Sequence, residues 1–501
     1  MSNVVVVGCG QIGLPLALAF AGAGMRVLGA ETHPGRLAAL LAGRLEPDQE
    51  SLTGRLREAL ASGLLVFADA PRSMDARRAF IVTVPTPVDA QRRFIREPLD
   101  RALATVTAVA ADDDLIVIRS TVPIGTTRSA AANASRRFRW AACPDRSVAG
   151  RAFADQFQIP HIVSGLDAGA REAARELFSA LGEVRPVASP ETAEALKLFA
   201  NVQRDTAFAL ANQFALICED VGVDFAELRE AGAAGFPHFA RARPGPVGGP
   251  CLSKDVFLLL QPASGQEFDA ELLLAARAVN ASLIRRFYAA IRADLAAVGG
   301  GTVAILGLAF KGHPPVRDRA DSFGVALQAE LIAGEISVKT WDPASDPPEA
   351  RARAIAGADV VVLANDHPAL ADISDIAHVS PGCVVYDVCG AADRRSASDL
   401  VLRVFGDGAT RRCRRWSSSP IASKTCLTGS RAASRLCAYG PVIKGSTTSL
   451  PAMTAFSSAA TTISRASATM FARSPISPGS SWCSRPMQPA TTAPSGSTPT
   501  S

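Results

Sequence analysis

Val4-Val-Val-Val-Gly-Cys-Gly-Gln-Ile-Gly13 is the stretch that decides the fold. Four valines predict a buried strand, and glycines 8, 10 and 13 follow it in GxGxxG spacing, directly ahead of an apolar helical stretch. The first glycine permits a tight turn, the second lets backbone approach a pyrophosphate, and the third lets helix and strand pack closely. The helix N-terminus favours the phosphate charge. Gly8, Gly10, Gln11, Ile12 and Gly13 are therefore expected to hold a dinucleotide. Glu31 stands eighteen residues beyond Gly13, at the end of the next expected strand. A carboxylate there accepts hydrogen bonds from an adenosine ribose and repels a 2′-phosphate, so the pattern predicts NAD rather than NADP.

Working outward, Val4–Val7, Arg26–Ala30, Ala79–Val84 and Leu115–Ile118 read as strands, with Ala/Leu-rich helical stretches between several of them. This alternation predicts βαβ units and a parallel sheet. A second start appears at Thr302–Leu306, followed by helix-like Phe323–Ile332 and strand-like Val338–Trp341, Val360–Ala364 and Val384–Asp387. Between the two lies Glu191–Val221, thirty-one residues without Pro or Gly, bounded by Pro190 and Gly222, which predicts one long helix. Glu271–Val298 predicts a second. The expected organisation is an α/β chain of four parts: 1–190, 191–298, 299–409 and a tail over 410–501.

That tail has its own composition. Of its 92 residues 33 are Ser or Thr and eleven are Lys or Arg, with no Asp or Glu. Such a segment buries too little apolar surface to offset chain entropy, so disorder is expected. A shifted reading frame in a GC-rich gene is an alternative origin. The scattered positive charges also admit attachment to RNA or an anionic membrane, a reading disfavoured by the scarcity of aromatics. Without the tail, residues 1–409 carry 41 basic and 47 acidic side chains, and this mildly acidic body predicts no nucleic-acid groove. The first 25 residues lack charge, but they have no basic leader and are broken by Gly8, Gly10, Gly13 and Pro15. A cytoplasmic protein with reduced thiols and no membrane span is expected. The ten cysteines contain no CxxC pair and the six histidines no ligand spacing, so no metal site is expected.

Three further motifs carry chemistry. Val84-Pro-Thr-Pro87, with Thr86, and Ser120-Thr-Val-Pro-Ile-Gly-Thr126, with Thr121, each follow an expected strand. Ligands of open α/β sheets bind at such ends. In Gly248-Gly-Pro-Cys-Leu-Ser-Lys-Asp255 a cysteine follows a glycine-rich loop and precedes a lysine and an aspartate, a setting that can expose a thiol and favour its thiolate. A buried small hydrophobe is the competing reading for Cys251, and the one kept for the other cysteines of the body. Lys197 and Asn201 stand at i and i+4 on the long helix and share one face.

Taken in order, these residues resemble the UDP-glucose/GDP-mannose dehydrogenase family. The likeness covers residues 3–408 and includes Pro144-Asp-Arg146, Gly307-Leu-Ala-Phe-Lys311 and Trp341-Asp-Pro343. It implies an N-terminal Rossmann domain, a central long-helix dimerisation segment and a C-terminal Rossmann-like nucleotide-sugar domain. The implied enzyme is an NAD-dependent oxidoreductase taking the C6 alcohol of a nucleotide sugar to a uronate for polysaccharide biosynthesis, acting as a homodimer or larger homo-oligomer. Cys251 is then the nucleophile, through a thiohemiacetal and a thioester. Asp255 and Lys197 handle the proton and the oxygen charge, Thr121 and Asn201 complete the centre, and Asp145 orients water. Thr86 and Thr121 adjoin the cofactor. Arg146, Lys197, Asn201, Gly248, Gly249, Lys254, Lys311 and Arg317 meet the substrate.

The sequence also departs from the family. Asp145 replaces a glutamate one methylene longer, Ser253 replaces a common proline, and the stretch after Lys311 reads Gly-His-Pro-Pro-Val-Arg, without the usual acidic pair. The segments Pro144–Ala152 and Ile159–Val163 resemble the UDP-N-acetylhexosamine branch and imply UDP-N-acetylmannosamine as substrate. UDP-glucose is the alternative, and an impaired paralogue that binds NAD and nucleotide sugar without turnover is a second.

Overall fold

Val4 to Val7 are buried on every side, which requires a central strand covered on both faces. A computed structural model of the chain provides that setting; it describes residues 3–408 except 73–77, 237–238, 240–241, 381 and 398–399. Strands β1 (Asn3–Val7), β2 (Arg26–Ala30), β3 (Leu65–Ala68), β4 (Arg78–Val82), β5 (Leu115–Ile118), β6 (Arg139–Ala142), β7 (His161–Gly165) and β8 (Val184–Pro186) form one sheet in the order β3-β2-β1-β4-β5-β6-β7-β8. Alternation places Val4 and Val6 in a core with the helix Gly13–Gly22, and Val5 and Val7 in another with Leu99, Leu103 and Val106 of the helix Glu97–Val109. The order reverses between β1 and β4, opening a crevice at their C-terminal ends.

The second sheet contains β9 (Thr302–Leu306), β10 (Ser337–Trp341), β11 (Val360–Leu363), β12 (Val384–Asp387) and β13 (Val401–Val404), all parallel, in the order β10-β9-β11-β12-β13. Val303 and Ile305 pack on one face, Ala304 and Leu306 on the other. Two long helices, Pro190–Val221 and Glu271–Val298, lie between the sheets in sequence and pack together. Ser189 caps the first by accepting from Thr192 N at 3.2 Å, and Gly222 ends it in the left-handed region at φ 80°.

One expectation needs correction. The first sheet is not wholly parallel, because β7 runs antiparallel to β6. Strands β3, β6, β7, β8 and β13 escape the sequence reading: they are three to five residues long, and Arg139-Trp-Ala-Ala or Val184-Arg-Pro has little β-branched signal. The expected disordered tail, 410–501, lies outside the described residues.

Candidate active site

The glycine turn and Glu31 form the first part of the site. Gly8 adopts φ 90°, and a methyl group on Gly13 would overlap the Gly8 carbonyl and lie 2.5 Å from Thr83 Oγ1. A methyl on Gly10 would meet only Arg36 Nη1, at 3.8 Å, so backbone is open there to a large ligand. Glu31 is buried; its carboxylate accepts from Cys9 N at 3.1 Å and His33 N at 2.8 Å, and Arg36 Nη1 lies 3.9 Å away. The turn is therefore braced from the end of β2, with an acid where a ribose would sit. These are the features of a cradle for NAD. Thr86 is buried beyond β4 and Thr121 half-buried beyond β5, on the edge that carries the glycine turn.

The second part gathers around Cys251. The loop 248–255 is clamped by residues 310–321: Gly249 N donates to Ala320 O at 3.1 Å, and Ser253 Oγ donates to Asp321 Oδ2 at 2.6 Å. Glycine is required at both loop positions. A methyl on Gly248 would lie 2.5 Å from Asp321 O, and one on Gly249, at φ 89°, 2.7 Å from the Phe310 ring. Ser253 thus supplies a link that the proline expected there from the resemblance cannot.

Asp255 begins the short helix Asp255–Leu259 and is almost fully buried. Its Oδ1 pairs with Lys254 Nζ and its Oδ2 accepts from Asn201 Nδ2, both at 2.6 Å. Cys251 is exposed, yet the protein around it withholds enough water to raise its thiol above the ordinary range. Asp255 and Asp145 push the same way; Lys197 and Lys254 pull it down. Cys9, Cys143, Cys218 and Cys383 are buried, in line with their reading as small hydrophobes, and Cys389 is half-buried. His161, raised by no catalytic argument, is buried and pushed down to about 4, chiefly by burial, and is therefore neutral.

Asp145 turns inward. Its Oδ1 pairs with Arg119 Nη2 at 2.9 Å, and its Oδ2 accepts from Ser147 N and Oγ at 3.1 and 2.5 Å. Burial raises its carboxyl, but Arg119, Ser147, Lys197 and Gln156 together hold it below the usual range. Its field reaches Lys197 and Cys251, while its own hydrogen bonds go to the protein.

The expected substrate residues divide. Gly248, Gly249, Lys254, Lys197 and Asn201 belong to this cluster. Lys311 Nζ donates to Ala149 O at 2.6 Å, and its ammonium is pulled down first by burial and then by Arg204. Arg146 Nη1 donates to Pro160 O at 3.3 Å, and Arg317 is exposed on the loop after Lys311. The sequence reading did not single out Arg204, one helical turn beyond Asn201, whose charge reaches Lys311. It also missed Arg119, Ser147 and Glu194. A charged residue closing the apolar run Leu115–Ile118 was the available signal for Arg119. Among the described residues no three His, Cys, Asp or Glu side chains gather as a metal site.

Comparison with known proteins gives the same direction. Residues 2–182 match the UDP-glucose/GDP-mannose dehydrogenase family, NAD binding domain, and residues 191–282 match that family's central domain. A UDP-N-acetyl-D-mannosamine dehydrogenase of Pyrococcus horikoshii is 31% identical over 382 residues, 73% of this chain and 90% of the relative. One from Methanocaldococcus jannaschii is 28% identical over 429 residues, 81% of this chain and 97% of the relative. The solved structure of the UDP-D-ManNAc dehydrogenase from Pyrococcus horikoshii superposes with TM-score 0.72 at 29% identity, covering 81% of this chain and all of that one.

Proposed function

Because the chain belongs to the UDP-glucose/GDP-mannose dehydrogenase family of NAD-dependent nucleotide-sugar dehydrogenases, we propose that it oxidises C6 of UDP-N-acetylmannosamine to the uronate. The carrying observation is the cluster of exposed Cys251 with Lys197, Lys254, Asp255 and Asn201. The substrate assignment is supported by relatives that carry that name and align over nearly their whole length. UDP-glucose is the alternative substrate.

Bound NAD supplies the hydride acceptor, one molecule for each of two oxidations at the same carbon. The residues of the chain do the rest. The C6 hydroxyl gives its proton toward the Asp255–Lys197 region, and Lys197 stabilises the oxygen charge. Thr121, at the sheet edge, hydrogen-bonds in the same centre. Cys251 sulfur then bonds to the aldehyde carbon, the carbonyl oxygen takes a proton, and the resulting thiohemiacetal keeps the aldehyde from escaping. The second oxidation leaves a thioester. Water adds to its carbonyl, the C–S bond breaks, the thiol is restored and the uronate departs. Asn201 and Asp255 hold the polar side of that pocket. Asp145 contributes a fixed negative charge facing Lys197, since its oxygens are already bonded inside the protein. Lys254, Lys311, Arg146 and Arg317, with Gly248 and Gly249, are the substrate-binding set. Gly8, Gly10, Gln11, Ile12, Gly13, Glu31 and Thr86 serve NAD.

The parts 1–190, 191–298 and 299–409 act respectively as the NAD-binding domain, the helical segment bearing the cysteine and the nucleotide-sugar domain. The helix Pro190–Val221 leaves Leu210, Phe214, Ile217 and Val221 exposed at spacings of three and four, one apolar stripe. That stripe supports a homodimer through this helix. No helix of the described residues is long and apolar enough to cross a membrane. Cytoplasmic residence, where NAD and reduced thiols coexist, fits the exposed cysteine.

The test is NADH formation with UDP-N-acetylmannosamine, UDP-N-acetylglucosamine, UDP-glucose and GDP-mannose in turn, beside Cys251→Ala. Two NADH per UDP-N-acetylmannosamine, abolished in the variant, is the expected result. NAD binding without turnover on any sugar would replace this reading with that of an impaired paralogue.

A further inference from the structure

Arg119 follows the last residue of β5 and is 3% exposed. A buried guanidinium is costly unless its charge is paired; here Nε lacks a partner among the described residues and the two terminal nitrogens carry the bonds. Nη2 donates to Asp145 Oδ1 at 2.9 Å and to Gln156 Oε1 at 2.8 Å, and Nη1 donates to Cys143 O at 3.1 Å. The guanidinium also lies over the Phe178 ring, 5.2 Å from its centroid. The backbone repeats the link, because Asp145 N donates to Arg119 O at 3.1 Å. One residue therefore holds Asp145 by both main chain and carboxylate. It lies two positions before Thr121 and is itself anchored to β4, its N donating to Val82 O at 3.0 Å.

Of the other titratable groups near Asp145, Lys197 also steadies its charge, more weakly than Arg119. Cys143, pushed up to about 11 by burial, is a neutral thiol, and His161 is neutral as well. Lys197 on the helix and Cys251 on its loop lie within reach of the Asp145 charge. Arg119 is thus the buried counter-charge that lets a carboxylate remain an anion at that depth. We propose that Arg119 is a positioning residue for turnover: through its buried ion pair it keeps Asp145 a fixed anion opposite Lys197 and Cys251. This rests on the dehydrogenase reading above.

The test is the pH profile of kcat for wild type, Arg119→Lys and the double variant Arg119→Met/Asp145→Asn, with KM for NAD measured alongside. In Arg119→Lys the weakened pair lets Asp145 take a proton at higher pH. Its kcat is expected to fall about tenfold at the acid end of the profile and to recover toward wild type as pH rises, with KM for NAD unchanged. The double variant leaves no lone buried charge, so it folds even if the single variant does not. Its kcat is expected to be about tenfold lower at every pH, with the acid limb gone. An Arg119→Lys profile parallel to wild type, or a fully active double variant, would overturn the proposal and leave the dehydrogenase reading intact. A wild type that turns over no nucleotide sugar would overturn both.

Discussion

Asn201 Nδ2 donates to Asp255 Oδ2 at 2.6 Å, joining the long central helix to the segment that follows the cysteine loop. Asp255 is the point at which the helix, Lys254 and the field on Cys251 meet, and it has two separable effects. Its charge raises the Cys251 thiol, while its hydrogen bonds fix the polar side of the pocket. Asp255→Asn should therefore make Cys251 more reactive and the enzyme slower. Alkylation by iodoacetamide at pH 8, read against Cys251→Ala as blank, should speed up, while kcat falls about 100-fold. A parallel fall in both would mean that the loop had lost its shape.

Lys197 acts on the same thiol with the opposite sign, drawing it down. Lys197→Ala should leave Cys251 ionising at still higher pH, so alkylation at pH 8 should slow and its midpoint move upward. An unchanged alkylation profile would remove Lys197 from the electrostatic environment of the cysteine.

Much of this was legible in the sequence because the decisive signals are local. GxGxxG after four valines fixes a strand, a turn and a helix, and Pro190 in the first turn with Gly222 at the end bounds one helix. Asn201 and Asp255 come together only through tertiary packing, 54 positions apart, so their bond had no signature in spacing. Asp145 stood out in the sequence through its Pro-Asp-Arg motif. Its inward direction depends on Arg119, Ser147 and Gln156, which spacing does not connect. The clamp of Ser253 on Asp321 was hidden for the same reason.

The apolar stripe on the central helix yields a prediction about assembly. Leu210 and Ile217, 45% and 48% exposed, lie seven positions apart on one face. Leu210→Glu with Ile217→Glu places charge on that face without disturbing the buried Ala211, Ala215 and Leu216. Light scattering after gel filtration should show a dimer for wild type and a monomer for the double variant, with unchanged circular dichroism. A variant that remains dimeric would move the interface elsewhere.

Glu194, one turn before Lys197, offers a stability prediction whose sign can be worked out. Its Oε1 accepts from Thr127 N at 2.8 Å and Thr127 Oγ1 at 2.6 Å, and its Oε2 accepts from Gly125 N at 2.6 Å, tying the helix to the segment after Thr121. Burial is the larger influence and pushes the carboxyl up to about 7 despite those donors. The folded chain then holds a proton that the unfolded chain has released above its ordinary 4.5, so this group's contribution is full below that pH and is lost as pH rises through 7. The loss amounts to about 3 kcal/mol. A glutamine side chain cannot titrate, so Glu194→Gln should lack this component. Melting temperatures from pH 4.5 to 8 should show the wild type losing ground relative to Glu194→Gln as pH rises. Parallel curves would mean that Glu194 stays ionised throughout, with its three hydrogen bonds outweighing its burial.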